Sequence, residues 1–301
     1  MPTMTADVRY RPLVRAELDL LLAMAAAEGW NPGAGDAAAF WDADPEGFLG
    51  VERDGELVGG VSAVATAGAQ GFIGLFLVRP DLRSQGLGGP VFARAVESLR
   101  DRLGPDAPIA LDGVMEREDY YSRQGFVRCH VSRRMEGTGA AALAAWPPSW
   151  PADAAEALRV VPLAALAFDD VVAFDAQHYG AARPDFLRRW ITPAGGLALG
   201  AVDPDGSLRA AGVVRPCVTG FKVGPLFALD AGAARLVLRG LLEHVGAATV
   251  VLDVPDVNAD AVALAAALGW TEVFGCVRMV LGPVPALPWD RIYGLTTFEL
   301  G

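Results

Sequence analysis

Residues 72–89 of this chain read Phe72-Ile-Gly-Leu-Phe-Leu-Val-Arg-Pro-Asp-Leu-Arg-Ser-Gln-Gly-Leu-Gly-Gly89. The apolar run at the start has the pattern of a strand. A short basic loop follows, and Arg83, Gly86 and Gly88 open an Ala/Val/Phe-rich helical pattern that runs to about residue 102. Strand, glycine loop and helix in this order leave unpaired backbone N–H groups at a helix N-terminus, where the helix dipole favours an anion. The glycines let the backbone approach a ligand closely, and Arg83 adds fixed positive charge. The pattern is that of a pyrophosphate cradle. It is a poor Walker loop, because no Gly-Lys-Ser/Thr follows. It is also a poor dinucleotide turn, because the arginine-led spacing differs and no acidic ribose reader ends the next strand at the expected place.

The chain has 301 residues, which favours two medium domains over one, and 52% hydrophobic residues, ample for buried cores. No apolar run is long and charge-free enough to span a bilayer. The first residues lack a basic region followed by an apolar core, so no secretory signal is read there. Cys129, Cys217 and Cys276 are scattered without metal-ligand spacing and read as reduced core residues of a cytoplasmic protein; the three histidines show no metal spacing either. A net charge of −11 argues against a general nucleic-acid partner. Locally the balance reverses, with Arg79, Arg83, Arg117, Arg123 and Arg128 around the glycine loop and a later Tyr121-Ser-Arg-Gln-Gly125-Phe126.

Outward from the loop, the first half reads as an edge strand over 8–11, a helix over 15–27, and two strands, 48–53 and 57–66, around the hairpin signal Asp54-Gly55. The loop strand, its helix, a strand at 109–112, a helix through Tyr121 and a strand from Phe126 follow. Residues 157–301 repeat that order: a strand at 158–162, a helix at 169–174, and strands at 197–203 and 210–215 around Asp205-Gly206. Then come a strand at 221–227, helix 231–245, strand 250–254 and a helix at 258–268 before Gly269-Trp270. The expected domains are therefore 1–136 and 157–301, joined by a Pro/Ala-rich linker over 137–156. In the second half the loop position reads Leu226-Phe-Ala-Leu-Asp230, with no arginine–glycine pattern. Ala265 stands where the first half has Tyr121.

The R-x-x-G-x-G spacing after V-x-P, with Tyr-x-x-x-Gly-Phe at 121–126, resembles the GNAT N-acetyltransferases. Glu28-Gly-Trp-Asn-Pro-Gly33 with Asp36, Asp44-Pro-Glu-Gly-Phe48, Arg215-Pro216, Gly224-Pro225, Asp253-Val-Pro255 with Asn258, Arg278-Met279 and Phe298-Glu-Leu-Gly301 resemble the two-domain YitH/HolE-type members. The resemblance implies an α/β (α+β) protein of tandem GNAT folds, each a mixed, mostly antiparallel sheet flanked by helices. The first fold is then catalytic and the second degenerate, without CoA, shaping or closing the acceptor site of the first.

It also implies acetyl-CoA as cofactor, held by Phe76, Leu77 and Val78 along the pantetheine arm as an added strand and by Arg83, Ser84, Gln85, Gly86, Leu87, Gly88 and Gly89 around the phosphates. The expected reaction is direct transfer of an acetyl group to the primary amine of a small molecule. An acyl-CoA-binding sensor and a protein or peptide acetyltransferase are the alternatives. Acyl transfer needs an amine deprotonated, an oxyanion stabilised and a departing thiolate protonated. Tyr121 is the candidate general acid; Tyr120 has the wrong offset from Gly125. The loop strand carries no carboxylate, so the base is sought at Glu28, Asp36 or Asp112, with Trp30 and Asp36 against the substrate. The structural alternatives are a helix cap for Asp36, an internal acceptor for Asp112 and a core position for Trp30. No metal and no membrane partner is expected.

Overall fold

The computed structural model describes residues 7–150 and 158–301. Strands β1 (Val8–Pro12), β2 (Phe48–Arg53), β3 (Glu56–Thr66), β4 (Gln70–Val78), β5 (Ile109–Val114) and β6 (Val127–Thr138) form in the first half. With them come helices α1 (Arg15–Ala27), α2 (Asp36–Ala43), α3 (Gly88–Leu103), α4 (Glu118–Arg123) and α5 (Gly139–Ala144). The second half supplies β7 (Arg159–Pro162), α6 (Phe168–Tyr179), α7 (Pro184–Trp190), β8 (Leu197–Val202), β9 (Leu208–Pro216), β10 (Phe221–Ala228) and α8 (Ala231–Val245). It continues with β11 (Thr249–Pro255), α9 (Ala259–Ala267), β12 (Thr271–Leu281) and β13 (Ile292–Gly294). No helix among the described residues is long and apolar enough to cross a membrane.

The fold is a mixed, mostly antiparallel α/β arrangement in which the halves repeat one another. Both carry the same helix-to-strand turn: Phe126 N donates to Tyr121 O at 3.1 Å, and Trp270 N to Ala265 O at 3.1 Å. Gly125 and Gly269 sit at φ 89° and 69° in these turns, where a side chain would be strained. Amphipathic spacing builds the helices that cover the sheet. On α3, Val91, Phe92, Ala95 and Leu99 are buried, and on α1, Leu18, Leu21, Leu22 and Ala25.

The expected domains divide the chain but not the sheet. All the strands join in the order β1-β2-β3-β4-β5-β12-β6-β11-β10-β9-β8-β7, with β13 on β10. The last long strand of each half is thus exchanged. β12 pairs with β5, while β6 pairs with β11, and the two lie side by side at the centre. Packing follows the exchange: Val277 and Met279 of β12 are buried in the core of the first half. A further core joins residues of both halves, among them Phe40, Leu75, Phe186, Trp190, Phe298 and Leu300.

Where a linker is expected from residue 137, β6 runs on to Thr138 and α5 follows, capped by the Thr138 hydroxyl, which accepts from Ala141 N at 3.2 Å. The small residues there serve close packing rather than flexibility. A Cβ on Gly139 would come 2.6 Å from Gly246 O and 2.7 Å from Leu242 O. Residues 151–157, including the later part of the expected linker, lie outside the described residues. The second half also holds α7, which the sequence reading omits although it is the counterpart of α2. Its helix α6 runs past the expected end at 174, because His178 and Tyr179 are buried before Gly180 stops it at φ 94°.

Candidate active site

Parallel pairing of β4 with β5 ends at Ile73–Leu111, while antiparallel pairing of β4 with β3 continues to Val78. A register shift between Gly60 and Ser62 marks a bulge on β4, where Leu75 has φ 47°. Beyond this point the strands splay, and a cavity of about 390 Å³ occupies the gap. Phe76, Leu77 and Val78 line it, followed by Arg83, Ser84, Gly86, Leu87, Gly88 and Gly89. Ser84 and Gly86 have positive φ, 62° and 81°. No side chain caps α3, and its first turn carries no acid. A Cβ on Gly86 or Gly89 would meet nothing within 4 Å, so the backbone faces open space. This concave loop at a free helix N-terminus fits a pyrophosphate.

Arg83 donates from Nε to Val78 O at 2.9 Å and from Nη2 to Glu28. Gln85 is the expected cofactor residue that stays outside the cavity. Its Oε1 accepts from Arg53 at 2.7 Å, which turns the amide toward β2.

Deeper in, Tyr121 and Tyr120 both line the cavity. Tyr121 is held against β5, since a Cβ on Gly113 would lie 2.4 Å from its ring. Phe92 and Phe126 flank it at 5.6 and 6.4 Å between ring centroids. Burial raises its pKa, which keeps the phenol protonated. Tyr120 stacks on Phe76 at 6.0 Å and is half-buried.

The candidate bases part ways: Glu28 reaches the cavity as expected, Asp112 is the internal acceptor offered as its alternative, and Asp36 is neither at the cavity nor a helix cap. Glu28, just past α1, lines the cavity and pairs with Arg83. The side chain of Asp112 is fully buried and accepts two bonds of 2.7 Å from Arg278 of β12. Burial raises its carboxyl although Arg278 opposes the shift. It is a partner across the exchanged strands. Asp36, expected at the acceptor, does not line the cavity. It accepts from Gly33 N at 2.8 Å and from Arg215 of β9 at 2.7 and 3.2 Å. Burial pushes its carboxyl up, but Arg215, Lys222 and the Gly33 N–H outweigh that and leave it below the ordinary carboxylate range. It ties the halves together because Arg215 is buried beside it. Trp30 does reach the cavity, and its carbonyl accepts from Arg134 at 3.0 Å.

The far wall comes from residues the sequence reading did not assign to the site: Arg117, Arg134, and from the second half Phe274, Cys276, Phe298 and Glu299. Phe274 and Cys276 arrive on the exchanged β12. Phe298 and Glu299 arrive on the segment after β13, which crosses between the halves. A Cβ on Gly74 would lie 2.0 Å from Glu299 O, so this glycine in the midst of the loop strand was the available sign of a close backbone approach.

The corresponding place in the second half is closed. Parallel pairing of β10 with β11 ends at Val223–Leu252, and β13 then pairs with β10 at Leu226 and Phe227. Asp230 caps α8, accepting from Ala233 N at 2.9 Å. Ala265 is buried. Among the described residues no His/Cys/Asp/Glu group could hold a metal ion.

Residues 16–126 match the family described as "Acetyltransferase (GNAT) family", and residues 171–294 match "Acetyltransferase (GNAT) domain". A holothin acyltransferase of Pseudoalteromonas sp. (strain SANK 73390) is 27% identical over 293 residues, 97% of this chain and 94% of that protein. A putative acetyltransferase from Pyrococcus horikoshii has the same fold, with TM-score 0.76 and 22% identity over 100% of this chain and 98% of that one. A tandem GNAT protein from the clavulanic acid biosynthesis pathway follows at TM-score 0.63 and 18% identity, over 93% of this chain and 100% of that one. The chain belongs to the GNAT acyltransferases, with one domain of that family in each half.

Proposed function

We propose that the protein is an acetyl-CoA-dependent N-acetyltransferase acting on the primary amine of a small molecule. The observation that carries this reading is the continuity of the cavity. The glycine loop, the unpaired edge of β4, Tyr121, Trp30, Phe274, Phe298, Arg117, Arg134 and the carboxylates of Glu28, Asp112 and Glu299 all line the one cavity. The loop N–H groups would hold the phosphates, and the edge of β4 would pair with the pantetheine arm. Aromatic faces and carboxylates suit an ammonium on an apolar body. A cavity of about 390 Å³ that must also admit the pantetheine arm leaves room for an acceptor group of small size. The Pseudoalteromonas relative is named for acyl transfer to holothin, which favours an enzyme over a sensor on this scaffold.

Tyr121 would give its proton to the departing thiolate. Burial raises the phenol, but a thiolate leaving into the same water-poor space is raised for the same reason, so the two stay matched. Thiol release from acetyl-CoA over an amine panel tests the reaction. Tyr121→Phe is expected to lower kcat by roughly 10²-fold with acetyl-CoA affinity unchanged. Since the phenol titrates above its ordinary value, native kcat should show no alkaline loss through pH ~10 from this group. Full turnover in Tyr121→Phe, with loss in Tyr120→Phe, would move the role to the neighbouring tyrosine.

A further inference from the structure

Acyl transfer to an ammonium needs a proton acceptor in the cavity, and β4 carries no carboxylate. Three carboxylates line the cavity among the described residues: Glu28, Asp112 and Glu299. Glu28 is paired with Arg83, and Asp112 with Arg278. Glu299 is 4% exposed, and its Oε2 has no hydrogen-bond partner.

The backbone that carries Glu299 is firmly held. Ser62 Oγ donates to Glu299 O at 3.3 Å, and Tyr179 OH to Leu300 O at 3.0 Å. Thr297 Oγ1 accepts from Glu299 N at 3.1 Å and Leu300 N at 2.9 Å. Leu295 N donates to Asp253 O at 2.9 Å. The segment rests on Gly74, one residue past the last β4–β5 pair, so it enters at the root of the splay. Such anchoring fixes the side chain on rigid elements, as a reacting group requires.

The nearby cations are engaged or unpaired rather than bonded to it. Arg134 donates to both Asp253 oxygens at 2.7 and 2.8 Å, and Arg215 to Asp36. Lys222 is fully buried, its Nζ has no partner, and burial lowers its pKa. Cys276 of β12, whose thiol burial raises, and Arg117 are the other ionisable groups at this wall.

We propose that Glu299, carried in by the second half, is the general base of the reaction. This rests on the acyl-transfer reading above. The acceptor ammonium loses one proton to the Glu299 carboxylate. The freed nitrogen lone pair forms the C–N bond to the thioester carbonyl carbon, and the C–S bond breaks. The second nitrogen proton leaves as the amide forms and returns, through water, to the Tyr121 phenolate left when the phenol protonated the thiolate, so one proton is released overall through Glu299. Glu299 returns its proton to solvent. The second half thus supplies the group that the first half's own strand lacks.

The test uses the full chain, acetyl-CoA and matched amines: benzylamine with aniline, tryptamine with 5-aminoindole. The alkylamines are protonated at pH 7 and need a base; the arylamines are already neutral. Melting temperature and acetyl-CoA affinity are measured on each variant. Glu299→Gln is expected to lower kcat/KM for the alkylamines about 10²-fold at pH 7, to regain rate as pH approaches the amine's own pKa, and to leave the arylamines nearly unchanged. Glu299→Asp, which keeps the charge, should restore part of the alkylamine rate and covers the case in which Glu299→Gln folds poorly. Equal losses for both amine classes in the variant that folds would assign Glu299 a structural role and overturn the proposal alone. No thiol release by the native protein with any amine would overturn the acyl-transfer reading, and the proposal with it.

Discussion

In the first half β4 parts from β5 after Ile73, and the gap remains as the cavity; in the second half β10 parts from β11 after Val223, and β13 fills the gap. The roots of the two gaps are alike. Gly74 and Gly224 hold equivalent places just past the last parallel pair, and both are pressed by the segment after β13. A Cβ on Gly224 would lie 2.4 Å from Thr296 O, as one on Gly74 would lie 2.0 Å from Glu299 O. What separates an open site from a closed one is therefore local. A glycine loop opens α3, whereas Asp230 caps α8, and a third strand sits on β10. The repeat supplies two such gaps, of which the first is open and the second filled.

The halves form one body with two fates, and the buried joint between them carries the largest expected effect. Arg215 and Asp36 are nearly or fully buried and join β9 to α2. Removing one member of a buried pair leaves an uncompensated charge, so Arg215→Met should cost about 3 kcal/mol or more. Replacing both, as Asp36→Leu with Arg215→Met, should recover much of that loss. Thermal melts of the variants and their double-mutant cycle check this. A double variant no more stable than Arg215→Met would show that the charge pair is not what matters.

The same joint sets an acid limit. Asp36 and Asp253 are pushed up by burial, but Arg215 acting on Asp36 and Arg134 acting on Asp253 hold both below the ordinary carboxylate range. Groups depressed in the folded state stabilise it above their unfolded pKa, near 4, and lose that contribution as pH falls through the folded value. Asp112, raised by burial, has the opposite sign. Melting temperature should fall on acidification below pH ~4, and the fall should be shallower in Arg215→Met, where Asp36 is no longer depressed. An identical acid limb in that variant would remove Asp36 from the account.

The open and closed gaps make different demands on the glycines beside their helices. Gly86 lies in the loop before α3, and Gly232 in the first turn of α8. Gly86→Asp places a carboxylate against the phosphates and should weaken CoA by at least ~2 kcal/mol. Gly232→Asp should leave CoA affinity and a stoichiometry of one per chain unchanged. Calorimetry distinguishes the outcomes. Two CoA per native chain, or loss of binding in Gly232→Asp, would break the distinction between the halves.

How much of this was legible in the sequence follows from the range of the interactions. Local signals read well: α1, β2 and α8 have the bounds that periodicity and turn residues predict, and the glycine loop lies where its motif places it. Exchange of β6 and β12 was not legible, because strand pattern says nothing about which strand becomes a neighbour. The acids divided for the same reason. Glu28 is local to its helix end and reaches the cavity, whereas the roles of Asp36 and Asp112 were set by Arg215 and Arg278, distant in sequence. Phe298 and Glu299 lie outside any motif of the first half; the terminal Phe298-Glu-Leu-Gly301 enters the resemblance without a place at the site, and the pinch at Gly74 is the physical sign of that place.

Gln85 offers the smallest expected effect and the finest probe of the open gap. Its neighbours Ser84 and Gly86 line the cavity, but its own amide accepts from Arg53 at 2.7 Å and donates to Asp81 O at 3.3 Å on the exposed face of the loop. Exposed hydrogen bonds of this kind add little to stability, and a surface truncation away from the site stays within about 0.5 kcal/mol. The loop conformation rests on Ser84 and Gly86, whose positive φ values do not depend on that amide. Gln85→Ala should therefore change the acetyl-CoA dissociation constant by less than about threefold, against the much larger loss at Gly86. A tenfold loss would mean that the Gln85 amide turns inward when the phosphates bind, and that the cradle includes one more side chain than the cavity wall shows.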